Sequence, residues 1–409
     1  MMIARLKGYY DARWRCSPSP RQIPELNGLR VLLVFIVSWY HIWQQSWLTP
    51  SVGSVSLDFL VRAGYVPVDG TILLSGFLLF LPYARTMFMG EPMPDVKRFY
   101  QRRIMRIVPS YYFITLLMLF VVALPYGMYH STQDMVTDLL AHFTFTQTFS
   151  LATYVSTPIG VASWTLAIEM QAYLLFPLIA RCAMKNTAGT VGVMMAISWM
   201  FRGLCLWTMN DYSMVVNQLA NFLDVYALGI MAAMVYVRLT LLWKNVRRPL
   251  VWQTLATALL FLAGWGLVVL LKAQAASPTY PDIQAGQMMR RTFFGGLTAI
   301  VMLALPFTLL PLRFLMGNRL MKWLATISMN YYLVHQNLAV HLKRLGIPAS
   351  VTPEPHRAGE RLWQWQYTAL CFGLSVLLAV AITYLIEKPG ARLLGKLFAK
   401  INRRENAET

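Results

Sequence analysis

About ten apolar blocks, each near the length of a bilayer-crossing helix, constrain this chain more than any other feature. A helix that spans the hydrocarbon core needs roughly 17–25 mostly apolar residues. Such blocks lie at 29–48, 66–84, 108–125, 161–180, 189–207, 215–237, 250–271, 293–311, 323–342 and 367–387. The block at 161–180 is the most diluted, because Ser163, Trp164, Thr165 and Glu169 crowd its start. Of the 409 residues, 57% are hydrophobic and only 13% charged. A soluble fold of this size could not cover itself with so few charges. The expected fold class is an all-α polytopic membrane protein with about ten transmembrane helices.

The net charge of +19 would suggest nucleic acid in a soluble protein. Here three quarters of the 36 Lys and Arg flank one set of block ends, which the positive-inside rule makes cytosolic. Both termini then lie in the cytosol, membrane lipids surround the chain, and no nucleic-acid partner is expected. Residues 1–28 read as a cytosolic basic arm containing Cys16-Ser-Pro-Ser-Pro, with no cleavable signal peptide. Residues 29–388 form the transmembrane domain, and 389–409 a basic cytosolic tail without a further globular domain. The four cysteines (Cys16, Cys182, Cys205, Cys371) show no paired spacing, and none falls in an outer loop, so neither a disulfide nor a metal site is expected. The outer loop at 126–160 holds no Lys or Arg, and its alternating stretch Met135–Phe149 is suited to lie along the membrane surface.

An ionisable group at membrane depth costs several kcal/mol unless partnered, which makes each one a functional candidate. The set is Arg30, His41, Asp69, Glu169, Arg202, Asp224, His335 and Glu387. Arg30 and His41 are eleven residues apart. That spacing puts them on one helix face, about 16 Å apart along the axis. Counting inward from the outer helix ends puts His41, Glu169 and His335 in one layer, each roughly 10 Å deep. A histidine can take a proton from an attacking hydroxyl, and a carboxylate beside it can orient the ring. The plainer alternative is that these groups pair only to hold helices together. On the cytosolic side, Arg102, Arg103 and Arg106 crowd the start of the third block near Arg30. Arginine forks suit phosphate, although the same cluster also serves as a topology signal against lipid headgroups.

At this point the motifs resemble the acyltransferase 3 family of membrane O-acyltransferases. Arg30 and His41, within Leu-Asn-Gly-Leu-Arg, resemble its Arg-x10-His opening. Val68-Asp69-Gly70 running into Leu-Leu-Ser75-Gly76-Phe77 resembles its second-helix signature, and Arg102-Arg103-x-x-Arg106-Ile-x-Pro109-x-Tyr111 its cytosolic loop. Trp164-Thr165-Leu166-Ala-Ile-Glu169-Met-Gln-x-Tyr173 is the most specific stretch. Asp224-x-x-Ala-x-Gly229, Ser328-x-x-x-Tyr332-Leu-x-His335 and Tyr384-x-x-Glu387-Lys-Pro389 follow in the expected order. The resemblance implies ten helices in a bacterial plasma membrane and transfer from acetyl-CoA, or another short acyl-CoA, to a carbohydrate or glycolipid hydroxyl at the outer face. It implies catalytic roles for His41, Glu169 and His335, with Arg30, Arg102, Arg103 and Arg106 holding the coenzyme phosphates. Asp69, Ser75, Trp164, Asp224, Tyr332 and Glu387 would support substrate or structure, without a metal.

Two departures bear on this expectation. Asp69-Gly70-Thr71-Ile72 replaces a more aromatic run, and the fused extracytoplasmic esterase-like domain of some members is missing, so the chain either acylates the acceptor itself or hands over to a separate extracytoplasmic transfer protein. Acylation of a small molecule or lipid is the nearest alternative. A transporter or flippase with a charged intramembrane path is the alternative of a different class. No repeat supports the transporter, and the oligomeric state stays open.

Overall fold

The computed structural model describes residues 18–160 and 162–408; residues 1–17 of the arm, with Cys16, lie outside the described residues. In chain order the helices of eight or more residues are α1 (Glu25–Ser46), α2 (Val68–Met89), α3 (Val96–Met118), α4 (Thr132–Phe143), α5 (Trp164–Lys185), α6 (Thr187–Thr208) and α7 (Leu223–Trp243). There follow α8 (Pro249–Ala275), α9 (Tyr280–Ala304), α10 (Leu310–Gly317), α11 (Arg319–Arg344), α12 (Arg361–Ile382) and α13 (Lys388–Glu408). A two-stranded hairpin, Ser51–Val52 with Val55–Ser56, follows α1. Among the described residues nine helices are long and apolar enough to cross a membrane: α1, α2, α3, α5 to α9, and α12 with its extension. The tenth block is α11, whose polar residues Ser328, Asn330 and His335 are turned into the bundle and buried. The protein is an all-α polytopic membrane protein.

The chain punctuates its helices with short polar caps. Asp95 accepts from the Arg98 amide at the start of α3, Asn186 from Gly189 at α6, Thr279 from Asp282 at α9, and Asn318 from Met321 at α11. Each cap satisfies a backbone donor that the first turn leaves free. Several helices outrun the hydrocarbon blocks read from the sequence. α3 begins at Val96 rather than 108, so the arginine cluster rides on its first turns. α9 begins at Tyr280 rather than 293, which carries Arg290 and Arg291 into the helix. The outer stretch at Met135–Phe149 is mostly helix α4, with Asp138 and His142 buried and Val136 and Leu140 exposed.

Both ends of the described chain meet at one face. Arg21 and Arg85 clamp Glu91 in the α2–α3 turn, at 2.8 and 2.9 Å, and these hydrogen bonds hold the Glu91 carboxyl below the usual carboxylate range. Tyr236 near the end of α7 donates to the Ser19 carbonyl, and Gln101 on α3 reaches Asn402 on α13. The C-terminal tail therefore continues as a helix along α3, joined to α12 through a π-helical turn at Thr383–Glu387. On the periphery, α8 presents Trp252, Phe261, Leu262 and Trp265 outward. In a bilayer that surface meets lipid, and every backbone polar group is satisfied within the helix.

Helix α2 packs closely against α7, and glycine is required there. A Cβ on Gly229 would stand 2.7 Å from the Leu73 carbonyl oxygen, 2.8 Å from the Phe77 nitrogen and 3.0 Å from the Gly76 carbonyl carbon, all of them backbone atoms. Small residues let helix backbones approach in this way. Gly229→Val is expected to push α2 and α7 apart and cost about 1–3 kcal/mol by overpacking. Gly264→Ala, with nothing within 4 Å of its new Cβ, is the matched control. Thermal unfolding followed by size-exclusion chromatography should show a lower transition for Gly229→Val alone.

Candidate active site

Seen from the face that carries both ends of the described chain, α1, α2, α3, α5 and α11 enclose a polar cavity of about 240 Å³. Arg30, Arg103, Arg106, Glu169, Tyr173 and Tyr332 supply its chemistry, with Ser75 and Thr165 on the walls. None of the three arginines makes an ion pair among the described residues. The Arg103 guanidinium lies over the Tyr173 ring at 5.3 Å, and its Nε is buried without a hydrogen-bond partner. Tyr173 donates to Glu169 at 2.9 Å and meets Ser75 at 3.3 Å. Three arginines against one carboxylate leave an excess of positive charge facing the cavity, the arrangement a phosphorylated ligand requires. Arg102 does not line it and is exposed on the same face.

Tyr332 links the cavity to the histidines. Its ring lies 5.5 Å from that of His335, and His335 lies 5.2 Å from His41. The His335 Nδ1 is 2.7 Å from the Tyr332 carbonyl, which makes it the protonated nitrogen and leaves Nε2 as an acceptor. That Nε2 is buried and has no hydrogen-bond partner among the described residues. On α1, Gln44 donates through Nε2 to the Tyr40 hydroxyl at 2.9 Å, so its Oε1 is left to accept from the His41 Nδ1 at 3.1 Å. Both imidazoles therefore keep Nε2 as the basic nitrogen. His41 is only partly buried, while His335 is fully enclosed.

Of the three groups expected in one layer, His41, His335 and Glu169, only the two histidines come into contact. The histidines meet as expected, but Glu169 stands among the arginines and makes no hydrogen bond or ion pair to His41 among the described residues. Helix arithmetic fixes depth along an axis and does not fix the facing around it, and Glu169 turns toward Tyr173, one turn along its own helix. The group that orients His41 is Gln44, whose uncharged side chain does not stand out in the sequence. Its signal was the spacing of three residues from His41.

The remaining intramembrane charges form a separate brace. Arg202 on α6 grips Asp224 on α7 through two nitrogens, at 2.6 and 2.9 Å. Arg291 on α9 reaches Asp69 on α2 at 3.2 Å, donates to the Val216 carbonyl at 2.9 Å, and lies over the Phe222 ring at 3.8 Å. Phe222 in turn faces Trp164 at the start of α5. Arg291 reads from the sequence as an outer-loop residue, yet it is 0% exposed. The apolar block begins only at 293, and hydropathy carries no sign of a partner 222 positions away. Glu387 accepts from Asn330 at 2.6 Å and ties the end of α12 to α11. Glu25 and Arg313, 3.0 Å apart, are a further buried pair on the face of the termini.

The family model described as an acyltransferase domain matches residues 23–384. The chain belongs to the acyltransferase 3 family. This acyltransferase 3 member is 26% identical over 240 residues to O-acetyltransferase OatA of Staphylococcus aureus, covering 53% of this chain and 35% of that protein. It is 28% identical over 170 residues to peptidoglycan O-acetyltransferase OatA of Listeria monocytogenes, covering 39% and 24%. A protein of Acidianus two-tailed virus, ORF330, provisionally named an acetyltransferase, is 28% identical over 225 residues, covering 54% and 61%. The chain thus spans less than two thirds of the length of each of these relatives. No solved structure matches it.

The brace predicts a particular mutational pattern. Arg291→Gln leaves Asp69 buried without its partner and is expected to cost about 3–5 kcal/mol. The double variant Asp69→Asn/Arg291→Gln removes both charges and is expected to recover a substantial part of that loss, read as the melting temperature of the purified protein.

Proposed function

We propose that the protein is a membrane O-acyltransferase of a bacterial plasma membrane. It takes an acyl group, acetyl in the simplest case, from a cytosolic acyl-CoA and passes it to a hydroxyl of an envelope carbohydrate at the outer face. The observation that carries this reading is the continuity of the site. Arginines without an ion pair among the described residues line the cavity, and Tyr332 joins it to a histidine pair whose Nε2 atoms make no hydrogen bond among those residues. The names of the Staphylococcus and Listeria relatives support O-acetyl transfer, and the Listeria name supports a cell-wall glycan as acceptor.

In the proposed reaction Arg30, Arg103 and Arg106 hold donor phosphates, with Arg102 at the outer rim of the basic face. The cavity admits the slim thioester arm toward Tyr332 and the histidines. The acceptor hydroxyl comes from the opposite face. His41 Nε2 removes its proton as the oxygen attacks the thioester carbonyl, the C–O bond forms, and the C–S bond breaks. The imidazolium returns that proton to the leaving thiolate, which departs as free CoA thiol. Gln44 holds the His41 ring in the required tautomer, and the His335 ring packs beside it at 5.2 Å. Glu169 acts from the cavity, where with Tyr173 it positions the arginines rather than the base.

Proteoliposomes supplied with radiolabelled acetyl-CoA and cell-wall glycan fragments test this directly. Loss of general-base catalysis in His41→Ala should slow turnover by about 10²–10⁴-fold. Gln44→Leu, which leaves His41 in place but unoriented, should lower kcat with KM for the donor unchanged. Arg103→Ala should instead raise donor KM. A His41→Ala protein that turns over at the wild-type rate would show that the base lies elsewhere.

A further inference from the structure

A second cavity opens beside the first. It is an apolar groove of about 660 Å³ between α1, α11 and α12, floored by Phe35, Ile327, Phe372, Val376 and Leu377. Phe35 stacks on Phe372 at 5.0 Å, while both Phe35 and Leu377 remain exposed toward the bilayer. Two features tie the groove to the proposed chemistry. Val34 and Ser328 line both the groove and the arginine cavity, so the two spaces share a wall. At its upper end stands Tyr331, whose ring lies parallel to that of His335 at 5.9 Å and whose hydroxyl meets Ser38 at 2.6 Å, three residues before His41. The groove thus descends from the histidine pair along the side of the cavity toward the face of the termini.

We propose that this groove holds the hydrocarbon tail of the transferred acyl group, so that the enzyme accepts acyl thioesters longer than acetyl. The inference rests on the donor reading of the arginine cavity. An acyl carbonyl held beside the histidines, with its thioester arm in the polar cavity, has an apolar outlet nearby in the groove. A glycan acceptor is ill suited to the groove, which offers a sugar hardly any hydrogen-bonding groups. Its position in the half of the bundle nearest the arginines also sets it apart from the face where the acceptor arrives. Each methylene removed from water strengthens binding by up to about fourfold, so even a partly enclosed tail gives a measurable preference.

Gly373 makes the groove testable. It lines the groove, and a Cβ added there would meet nothing within 4 Å, so a larger side chain can enter without disturbing the helices. The experiment is displacement of radiolabelled acetyl-CoA from the full-length protein in nanodiscs by unlabelled acetyl-, butyryl- and octanoyl-CoA. Octanoyl-CoA should compete at least tenfold more tightly than acetyl-CoA in the wild type. Gly373→Trp should erase that difference and leave acetyl-CoA binding within twofold, which also reports that the variant is folded. Gly373→Leu, a smaller plug, should reduce the preference by a lesser factor. Equal or weaker competition by octanoyl-CoA would overturn the proposal, as would a preference untouched by Gly373→Trp, the result expected if bilayer lipid or a lipid-linked acceptor occupies the groove. Acetyl-CoA binding without chain-length preference sinks the groove alone, whereas absence of acetyl-CoA binding sinks the donor reading as well.

Discussion

Within a bilayer no water is at hand to satisfy a charge, so a buried arginine must find its partner among its own helices. The pairing of Arg291 with Asp69, beside that of Arg202 with Asp224, meets this requirement and in doing so fixes α2, α6, α7 and α9 against one another. The two pairs converge on the segment before α7, since Arg202 bonds Asn221 and Arg291 lies over Phe222. Phe222 then meets Trp164, which sets the start of α5 and with it the helix that carries Glu169. The brace does not touch the histidines. It holds the framework from which the cavity walls are hung.

Against that rule the unpaired arginines of the cavity stand out. Arg30, Arg103 and Arg106 could have been matched with carboxylates as the brace residues are, and among the described residues they are not. On the proposed reading, an excess of charge kept open in this way is a binding device: it costs stability in the empty protein and is repaid when an anionic ligand arrives. The same logic applies to the buried His335 Nε2, an acceptor left without a donor where the proposed reaction moves a proton. In both places polar groups are left unsatisfied where the proposed chemistry would satisfy them.

Much of this was legible in the sequence. All ten apolar blocks correspond to long helices, including α11, whose polar residues disguise it from an apolarity test yet fall on its buried side. The shared depth of His41 and His335 is legible in the sequence, and in the structure their rings meet. What depth could not supply was direction around each helix, which separates Glu169 from His41 and turns it toward Arg30. Arg291 was misplaced because a doublet of arginines at the edge of a block looks like a loop until its distant aspartate is known. Gln44 was missed because an uncharged side chain carries no penalty that would draw attention to it.

The central claim is that one site joins two faces of the membrane, with arginines toward the termini and a histidine pair reached from the other side. It is tested most directly by sidedness in proteoliposomes of fixed orientation, with labelled acetyl-CoA confined to the face of the termini and glycan fragments confined to the opposite face. The account predicts acetylated glycan on the side away from the donor, with free CoA thiol released on the donor side. Product formed only when donor and acceptor share a face would contradict it.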